Sequence, residues 1–194
     1  MKKLICTLLI LTMIFSGLFA LCSCNSEENE KDTDAKITDA TKDNATTKPA
    51  IPKGYTKFDN GDISFAYPSD WKKTEGSVTQ IINPTGAGNN ITVVYEAKNT
   101  LYETAKESEL KTLFSQSLSA SGMSISNFKL SKTKNDNIKN IVKITYSASM
   151  NSVTMKQSLF IVTVGNKTYT VTVTETNADA ALVNNVFNTL TALK

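Results

Sequence analysis

The sequence predicts an α+β fold in which an antiparallel β-sheet of about six to eight strands is flanked by two main helices. Three observations lead to this prediction. Between Tyr55 and Glu175 the chain carries short runs that alternate apolar and polar residues, which is the pattern of half-buried strands. Two other segments, one after Thr100 and one near the C-terminus, repeat apolar residues at helical spacing. The connections between successive strands are too short for parallel crossovers, so the strands should pair antiparallel.

Residues 1–23 have the layout of a secretory signal peptide. Lys2 and Lys3 precede an almost unbroken apolar run, which is followed by small and thiol residues. The segment Leu21-Cys22-Ser23-Cys24 resembles the lipobox of bacterial lipoproteins, and polar residues follow it at once. An uncleaved transmembrane helix over Leu4–Cys22 is the alternative, since that stretch is just long enough to span a membrane at about 1.5 Å per residue.

The lipobox resemblance has consequences for location. It implies that the Cys24 thiol receives a diacylglyceryl group, that a peptidase cuts between Ser23 and Cys24, and that Cys24 becomes the mature N-terminus. Each buried methylene of a lipid chain contributes about 0.8 kcal/mol, so two or more chains hold a protein stably on a membrane. The expected location is therefore the extracytoplasmic face of the cell membrane, with the protein anchored at Cys24.

The composition excludes several classes of chemistry. The cysteines are Cys6, Cys22 and Cys24, all of them within the leader and lipobox, and the chain has no histidine. The mature domain therefore has no disulfide, no thiol or imidazole catalysis and no Cys- or His-ligated metal. Arginine is also absent, which removes bidentate carboxylate and phosphate clamps. We predict no metal, no cofactor and no enzymatic activity.

The charge balance of the mature chain is close to neutral. Two of the 21 basic residues lie in the leader, which leaves 19 lysines against 18 acidic residues. Binding to a nucleic-acid backbone depends on dense positive charge, so a nucleic-acid partner is not expected. We expect a monomer.

Residues 24–53 predict a disordered tether that follows the lipidated cysteine. The stretch is rich in charged and small polar residues, and its large apolar residues are Ile37 and Ile51. Such a segment does not bury enough apolar surface to offset its ordering entropy. A flexible chain of this length spans roughly 30 Å, which would hold the folded domain away from the lipid headgroups.

Residues 54–194 predict one folded domain. It begins with a hairpin, Tyr55–Phe58 and Ile63–Tyr67, and Pro68 ends the second strand because it has no amide hydrogen for the sheet. Strands at Val78–Ile82 and Ile91–Ala97 follow, joined by a loop rich in Gly and Asn. That loop lacks the Lys-Ser/Thr end of a phosphate-binding P-loop and no helix follows it, so we interpret it as a hairpin loop.

The second half of the domain contains both helices and a meander. Thr100 and Glu103 form a capping-box pair for the first helix, which Gly122 ends. Four strands follow, at Ile125–Lys132, Ile138–Ser149, Val153–Val164 and Lys167–Glu175. The threonines of the last strand should form a solvated or edge face: Thr168, Thr170, Thr172 and Thr174. A C-terminal helix closes the chain, capped near Thr176 to Asp179, and its apolar stripe should be core: Leu182, Val183, Val186, Phe187, Leu190 and Leu193.

These elements and the segment Tyr67-Pro68-Ser69-Asp70-Trp71 resemble the Mog1/PsbP-like fold, and more narrowly the PsbP-related bacterial lipoproteins of the DUF1795 or DcrB type. The resemblance implies an αβα sandwich and a non-enzymatic role in binding or assembly. Plant PsbP helps retain calcium and chloride at photosystem II with histidine among its proposed contacts, and this chain has none. Mog1 acts on a nuclear GTPase, which an exported protein does not meet. Fold alone does not confer function.

The functional hypothesis is a membrane-anchored binding or assembly module of the cell envelope, with an envelope protein or glycan as its partner. Tyr67 and Trp71 are candidates for an aromatic binding surface, although core packing is the simpler interpretation of both. One alternative is a carrier of a small ligand or lipid. Another is a hydrolase that uses serine, lysine and carboxylates, for which the chain offers three Ser-x-x-Lys matches without the accompanying motifs: Ser108 with Lys111, Ser126 with Lys129, and Ser131 with Lys134.

Overall fold

The computed structural model describes residues 49–86 and 88–194. The predictions of a signal peptide over 1–23, of cleavage after Ser23 and of lipidation at Cys24 lie outside these residues, as does most of the tether predicted over 24–53. No helix in the described ranges is both long enough and apolar enough to span a membrane.

Ten strands and three helices occur in the described residues. The strands are β1 (Tyr55–Asp59), β2 (Ile63–Pro68), β3 (Lys72–Thr74), β4 (Thr79–Ile82), β5 (Asn90–Ala97), β6 (Ser124–Thr133), β7 (Ile141–Met150), β8 (Val153–Val164), β9 (Lys167–Glu175) and β10 (Thr191–Ala192). The helices are α1 (Leu101–Thr104), α2 (Glu107–Ser119) and α3 (Ala180–Thr189).

The strands form two antiparallel sheets. The larger has seven strands in the order β3-β4-β5-β9-β8-β7-β6, and the smaller has three in the order β1-β2-β10. The predicted hairpin at the start of the domain and the predicted four-strand meander are both present, the latter as β6 to β9. The α+β prediction of an antiparallel sheet of six to eight strands with two main helices is confirmed.

Two hydrophobic clusters cover the two faces of the larger sheet. On one face, α3 and the smaller sheet bury Phe65, Phe160 and Leu182. On the other face, α2 buries Phe114 against Tyr146, with 5.6 Å between their ring centroids. Successive residues of a strand point to opposite faces, so β8 supplies apolar side chains to both clusters. The central strands are thus buried on both sides.

The first predicted helix is two helices, and its predicted cap is wrong. Thr100 makes no side-chain capping hydrogen bond. Instead the Asn99 Oδ1 accepts the Leu101 amide at 3.0 Å. The Glu103 carboxylate accepts the Thr163 hydroxyl at 3.1 Å and so does not reach back to its own helix. A hydrogen bond to a strand distant in sequence has replaced the local capping box.

The break between α1 and α2 lies at two residues with extended backbone. Ala105 has ψ 150° and Lys106 has ψ 156°, so the helical hydrogen-bond series stops there. The Lys106 amide then donates to Glu109 Oε2 at 2.9 Å, which starts α2. Gly122 has φ 74° and follows the end of this helix, as predicted. Side-chain burial at Tyr102 and Ala105 holds the short helix to the core.

The threonine face of β9 is not solvated. Thr168, Thr170, Thr172 and Thr174 are each 6% exposed or less. The reason is that β9 lies between β5 and β8 in the middle of the larger sheet and is not an edge strand. The Thr168 hydroxyl accepts the Asn99 amide at 2.9 Å, which ties β9 to the start of α1. Alternation along one strand shows which residues share a face but not where the strand lies in the sheet.

Two short strands, β3 and β10, were not predicted, and two element boundaries differ from the prediction by more than one residue. Strand β3 was missed because Lys72-Lys73-Thr74 carries no apolar residue and is held by its backbone pairing with β4. Strand β7 begins at Ile141, three residues later than predicted. Helix α3 ends at Thr189, so Leu190 and Leu193 lie beyond it, and Leu193 is 36% exposed. The N-cap prediction for this helix is confirmed, since Asp179 Oδ1 accepts the Leu182 amide at 2.9 Å.

Candidate functional site

The two aromatic residues proposed from the sequence as a binding surface are part of the core. Tyr67 and Trp71 are each 8% exposed and belong to the cluster beneath α3 and the smaller sheet. The Trp71 amide donates to the Pro68 carbonyl at 3.1 Å, which closes the turn after β2. The two side chains therefore do not form an exposed aromatic wall, and the core interpretation describes them.

An open cleft of about 640 Å³ lies elsewhere, at one end of the larger sheet. One side is formed by Asn99, Tyr102 and Glu103, at the end of β5 and in α1. The other side is formed by the end of β6 and the loop that follows it, with residues of β7 and β8 between them. Pockets of roughly 300–1,000 Å³ hold small ligands, so the cleft has a suitable size.

Three lysines line this cleft: Lys132, Lys134 and Lys139. All three are exposed, and none of them makes an ion pair with the residues that the structure describes. Glu103 is the acidic residue in the lining, so the formal charge of the lining is +2. We call this site, with its three lysines and Glu103, the lysine cleft.

Neutral groups complete the lining of the lysine cleft. Asn99, Thr133, Asn140 and Thr163 supply amide and hydroxyl groups. Three of the twelve lining residues are aliphatic, and each of these is at most 7% exposed: Ile141, Val142 and Ile161. Burial, and to a smaller degree the nearby Glu96 carboxylate, raise the pKa of the Tyr102 hydroxyl, which is therefore neutral at physiological pH. The lining is mainly polar and cationic.

The loop between β6 and β7 carries two of the lysines and is itself held by Asn135. Asn135 Nδ2 donates to the Phe187 carbonyl at 2.7 Å and to the Leu190 carbonyl at 2.8 Å, at the end of α3. Its Oδ1 accepts the Ile138 amide at 2.7 Å, which closes the turn between Lys134 and Lys139. One side chain therefore fixes the loop to the helix and shapes the loop itself.

These lysines were not predicted from the sequence as site residues. Residues 129–143 contain five lysines and one acidic residue, Asp136, in a chain whose charges are otherwise nearly balanced. That local excess was a signal that could have identified the region. The partners across the cleft had no such signal, because Asn99, Tyr102 and Glu103 are about 30 positions earlier in the chain.

A second lysine-rich cluster lies at the β1–β2 turn. Asp62 Oδ1 accepts the Lys194 ammonium at 2.6 Å, and Oδ2 accepts the Lys167 ammonium at 2.9 Å together with the Tyr169 hydroxyl. These hydrogen bonds, that of Lys194 first, hold the pKa of the Asp62 carboxyl well below its usual range. We call these four residues the Asp62 clasp.

The hydrogen bonds of the Asp62 clasp have a structural role, because they connect parts of the domain that are distant in sequence. The clasp joins the β1–β2 turn to β9 and to the C-terminus, where the Leu193 amide also donates to the Asp62 carbonyl at 2.8 Å. Each carboxylate oxygen already has a cationic donor, so little capacity remains for a ligand. Within residues 49–86 and 88–194 no group of three or more acidic side chains is arranged to hold a metal.

Comparisons with known proteins give a family and a fold. A family model described as PsbP matches residues 53–192. The solution structure of cyanobacterial PsbP (CyanoP) from Synechocystis sp. PCC 6803 aligns with a TM-score of 0.54 at 12% identity, over 72% of this chain and 92% of that one. This likeness shows the fold alone. A comparison with curated proteins gives no match.

Two further solved structures align less well. A crystal structure from Bacteroides thetaiotaomicron VPI-5482 aligns at 22% identity with a TM-score of 0.49, and the match covers 73% of this chain but 49% of that one. The crystal structure of LpqN, involved in cell envelope biogenesis of Mycobacterium tuberculosis, aligns at 14% identity with a TM-score of 0.38, over 71% and 89% of the two chains. This chain therefore spans about half the length of the Bacteroides protein.

Proposed function

The chain belongs to the PsbP family, and on that premise we propose that it is a non-catalytic binding or assembly module of the cell envelope, anchored on the extracytoplasmic face of the membrane. The lysine cleft is its binding site. A ligand, or the exposed group of an envelope protein or glycan, enters the cleft and is held there by the lysines and the amide groups. No reaction step is part of this proposal.

The location is supported by the leader. Residues 1–23 act as the signal peptide, Cys24 carries the lipid, and residues 24–53 connect it to the domain of residues 54–194. Mass spectrometry of the mature N-terminus tests this proposal. The expected product begins at a lipidated Cys24, whereas an intact Met1 or an unmodified Cys24 would refute the anchor.

The observation that carries the binding proposal is the lysine cleft itself. Three exposed cations without an ion-pair partner in the described residues surround an opening of about 640 Å³. The loop that carries two of them is held by Asn135, so the site is shaped before a ligand arrives. Preorganisation reduces the entropy cost of binding, because fewer groups must be ordered when the ligand binds.

Site-directed photo-crosslinking on intact cells tests the binding proposal. A photoreactive residue at Asn140 lies in the lining of the lysine cleft, and one at Asp70 is an exposed control on the turn after β2. We expect an adduct from position 140 that is absent from position 70 and is lost when Lys132, Lys134 and Lys139 are replaced by glutamine. The same adducts from both positions, or none from position 140, would count against the cleft as the binding site.

The lysine cleft supports the two alternative functions, a small-ligand carrier and a serine–lysine hydrolase, to different degrees. A small-ligand carrier is compatible with its size, and its lining favours a polar ligand over an acyl chain. No serine is among the lining residues, so the serine–lysine hydrolase has no support from this site. Esterase and peptidase substrate screens on the purified chain should therefore give no turnover above background.

A further inference from the structure

The positive charge of the lysine cleft is not neutralised by its own carboxylate. Glu103 Oε1 accepts the Thr163 hydroxyl at 3.1 Å, and no lysine of the cleft lies within ion-pair distance of it. Like charges that share one opening repel each other, and the repulsion is stronger near a protein surface than in bulk water. A bound anion would remove this repulsion and would gain several charge-assisted hydrogen bonds.

The type of cation favours phosphate over carboxylate. A lysine ammonium is a compact charge with three donors, whereas the planar fork that matches a carboxylate belongs to arginine, which this chain lacks. A phosphate monoester carries about −1.5 to −2 charges at pH 7 and has three acceptor oxygens. Lys132 comes from β6, while Lys134 and Lys139 come from the two ends of the following loop, so the three donors approach from separate chain positions.

The remainder of the cleft fits the hydroxylated part of a ligand. A phosphate fills a small part of about 640 Å³. The neighbouring side chains Thr133 and Asn140 offer both donors and acceptors, and the Glu103 carboxylate is a further acceptor for hydroxyl groups. The aliphatic lining residues are almost completely buried and offer little apolar contact.

From these features we propose that the lysine cleft binds the phosphate of a phosphorylated polyol. This inference rests on the proposed function, because it names the ligand class of the same cleft. Glycerol phosphate occurs as a soluble monoester and also in the headgroup of phosphatidylglycerol, where the phosphate is a diester that keeps one negative charge and two unesterified oxygens. The two sources differ in whether the ligand diffuses freely or belongs to the membrane that holds the protein.

Lysine acylation footprinting by mass spectrometry tests the inference on the full chain. The protein in neutral detergent is titrated with glycerol 3-phosphate or with inorganic phosphate. In a second arm it is reconstituted in nanodiscs of phosphatidylcholine, with or without phosphatidylglycerol. We expect glycerol 3-phosphate, phosphatidylglycerol or both to slow acylation of Lys132, Lys134 and Lys139 severalfold, while Lys129 and Lys111 react at an unchanged rate.

A matched pair of triple variants separates site binding from bulk charge. K132Q/K134Q/K139Q removes the three cleft lysines, and K106Q/K111Q/K129Q removes three exposed lysines outside the lining, so both lose the same net charge. Binding of glycerol 3-phosphate or of phosphatidylglycerol nanodiscs is then measured for both. Each cleft lysine should contribute about tenfold in affinity, and the control triple should bind like the parent chain.

Each outcome of these experiments identifies the ligand source or overturns part or all of the inference. Protection by glycerol 3-phosphate identifies a soluble source, and protection only in nanodiscs with phosphatidylglycerol identifies the headgroup. Equal protection by inorganic phosphate at equal concentration overturns the polyol part of the inference. No protection in either arm, or equal losses in the two triple variants, overturns the whole inference. If the photo-crosslink from position 140 persists in that case, the proposed function stands with a different ligand.

Discussion

The lysines of the Asp62 clasp and those of the lysine cleft are the same residue type in opposite electrostatic surroundings. Lys167 and Lys194 share one carboxylate, which is 11% exposed. Lys132, Lys134 and Lys139 have no ion-pair partner among the described residues. The charge of a paired lysine is neutralised by a carboxylate of the protein, whereas the charge of an unpaired lysine at a cleft is available to a ligand. The difference predicts that changes in the clasp reduce stability and that changes in the cleft reduce binding.

The largest expected effect comes from Tyr169, the most deeply buried member of the Asp62 clasp. It is 2% exposed, so Tyr169→Ala should lower the free energy of unfolding by about 3–5 kcal/mol through the cavity it leaves. Tyr169→Phe removes only the hydroxyl and should cost about 1 kcal/mol. Urea unfolding measures both values. Val153 on β8 is 47% exposed and lies outside the clasp, so Val153→Ala is the control, with a change within about 0.5 kcal/mol.

The next effect should come from Asn135, which connects the cleft to the fold. Asn135→Ala removes the hydrogen bonds to the end of α3 and should lower the free energy of unfolding by about 1–2 kcal/mol. It should also weaken ligand binding, because the loop between Lys134 and Lys139 loses its shape. Denaturant unfolding and a binding titration measure the two changes. Asp136→Asn in the same loop is the control, and equal losses in both variants would contradict the role of Asn135.

A smaller effect on stability, and one that depends on pH, is expected at Asp62. Hydrogen bonds from its partners lower the pKa of this carboxyl, so its charged form stabilises the folded state at neutral pH. That stabilisation is lost as the pH falls below about 4, where the carboxyl of the unfolded chain takes up its proton first. The exposure of Lys194, 69% at its side chain, limits the size of the effect through solvent screening.

Urea unfolding at a series of pH values tests this prediction. The difference in unfolding midpoint between the parent chain and Asp62→Asn should be greatest near neutral pH and should narrow as the solution becomes acidic. Asp70→Asn, at an exposed residue, serves as the control. A difference for Asp62→Asn that is the same at every pH would show that the carboxylate charge is not what stabilises the fold.

The smallest expected change in stability is in the lysine cleft. The K132Q/K134Q/K139Q variant should keep its free energy of unfolding within about 0.5 kcal/mol of the parent chain, because these side chains are exposed and unpaired. Thermal unfolding of the two proteins in the same buffer measures the difference. A loss of 2 kcal/mol or more, on the order of a buried-contact deletion, would show that the lysines support the fold.

Much of the fold could be predicted because its signals are local. The meander from β6 to β9 follows from alternation and short turns, and the Asp179 cap follows from residue type and position. The errors come from non-local competition. Glu103 accepts the Thr163 hydroxyl instead of capping its own helix, and the threonines of β9 are buried because β5 pairs with that strand.

The candidate site was less predictable than the fold. Tyr67 and Trp71, the candidates drawn from the sequence, lie in the core, which was the simpler interpretation of both, whereas the lysine-rich stretch at residues 129–143 was not predicted as a site. A cleft is defined by the segments that face each other across it. Residues near position 100 follow β5 and residues near position 135 follow β6, and they come together only because β9, β8 and β7 join these two strands in one sheet.

The amino-acid composition sets which side-chain chemistry is available, since a chain without histidine or arginine, and with every cysteine in its first 24 residues, has few catalytic groups. The order of the residues also determined which of them could share a strand face. Which lysines are neutralised depends on the folded arrangement. Asp62 meets Lys167 and Lys194 across 105 and 132 positions of the chain, whereas the cleft lysines meet no carboxylate in the described residues. Electrostatic pairing depends on distance in space, and folding sets that distance.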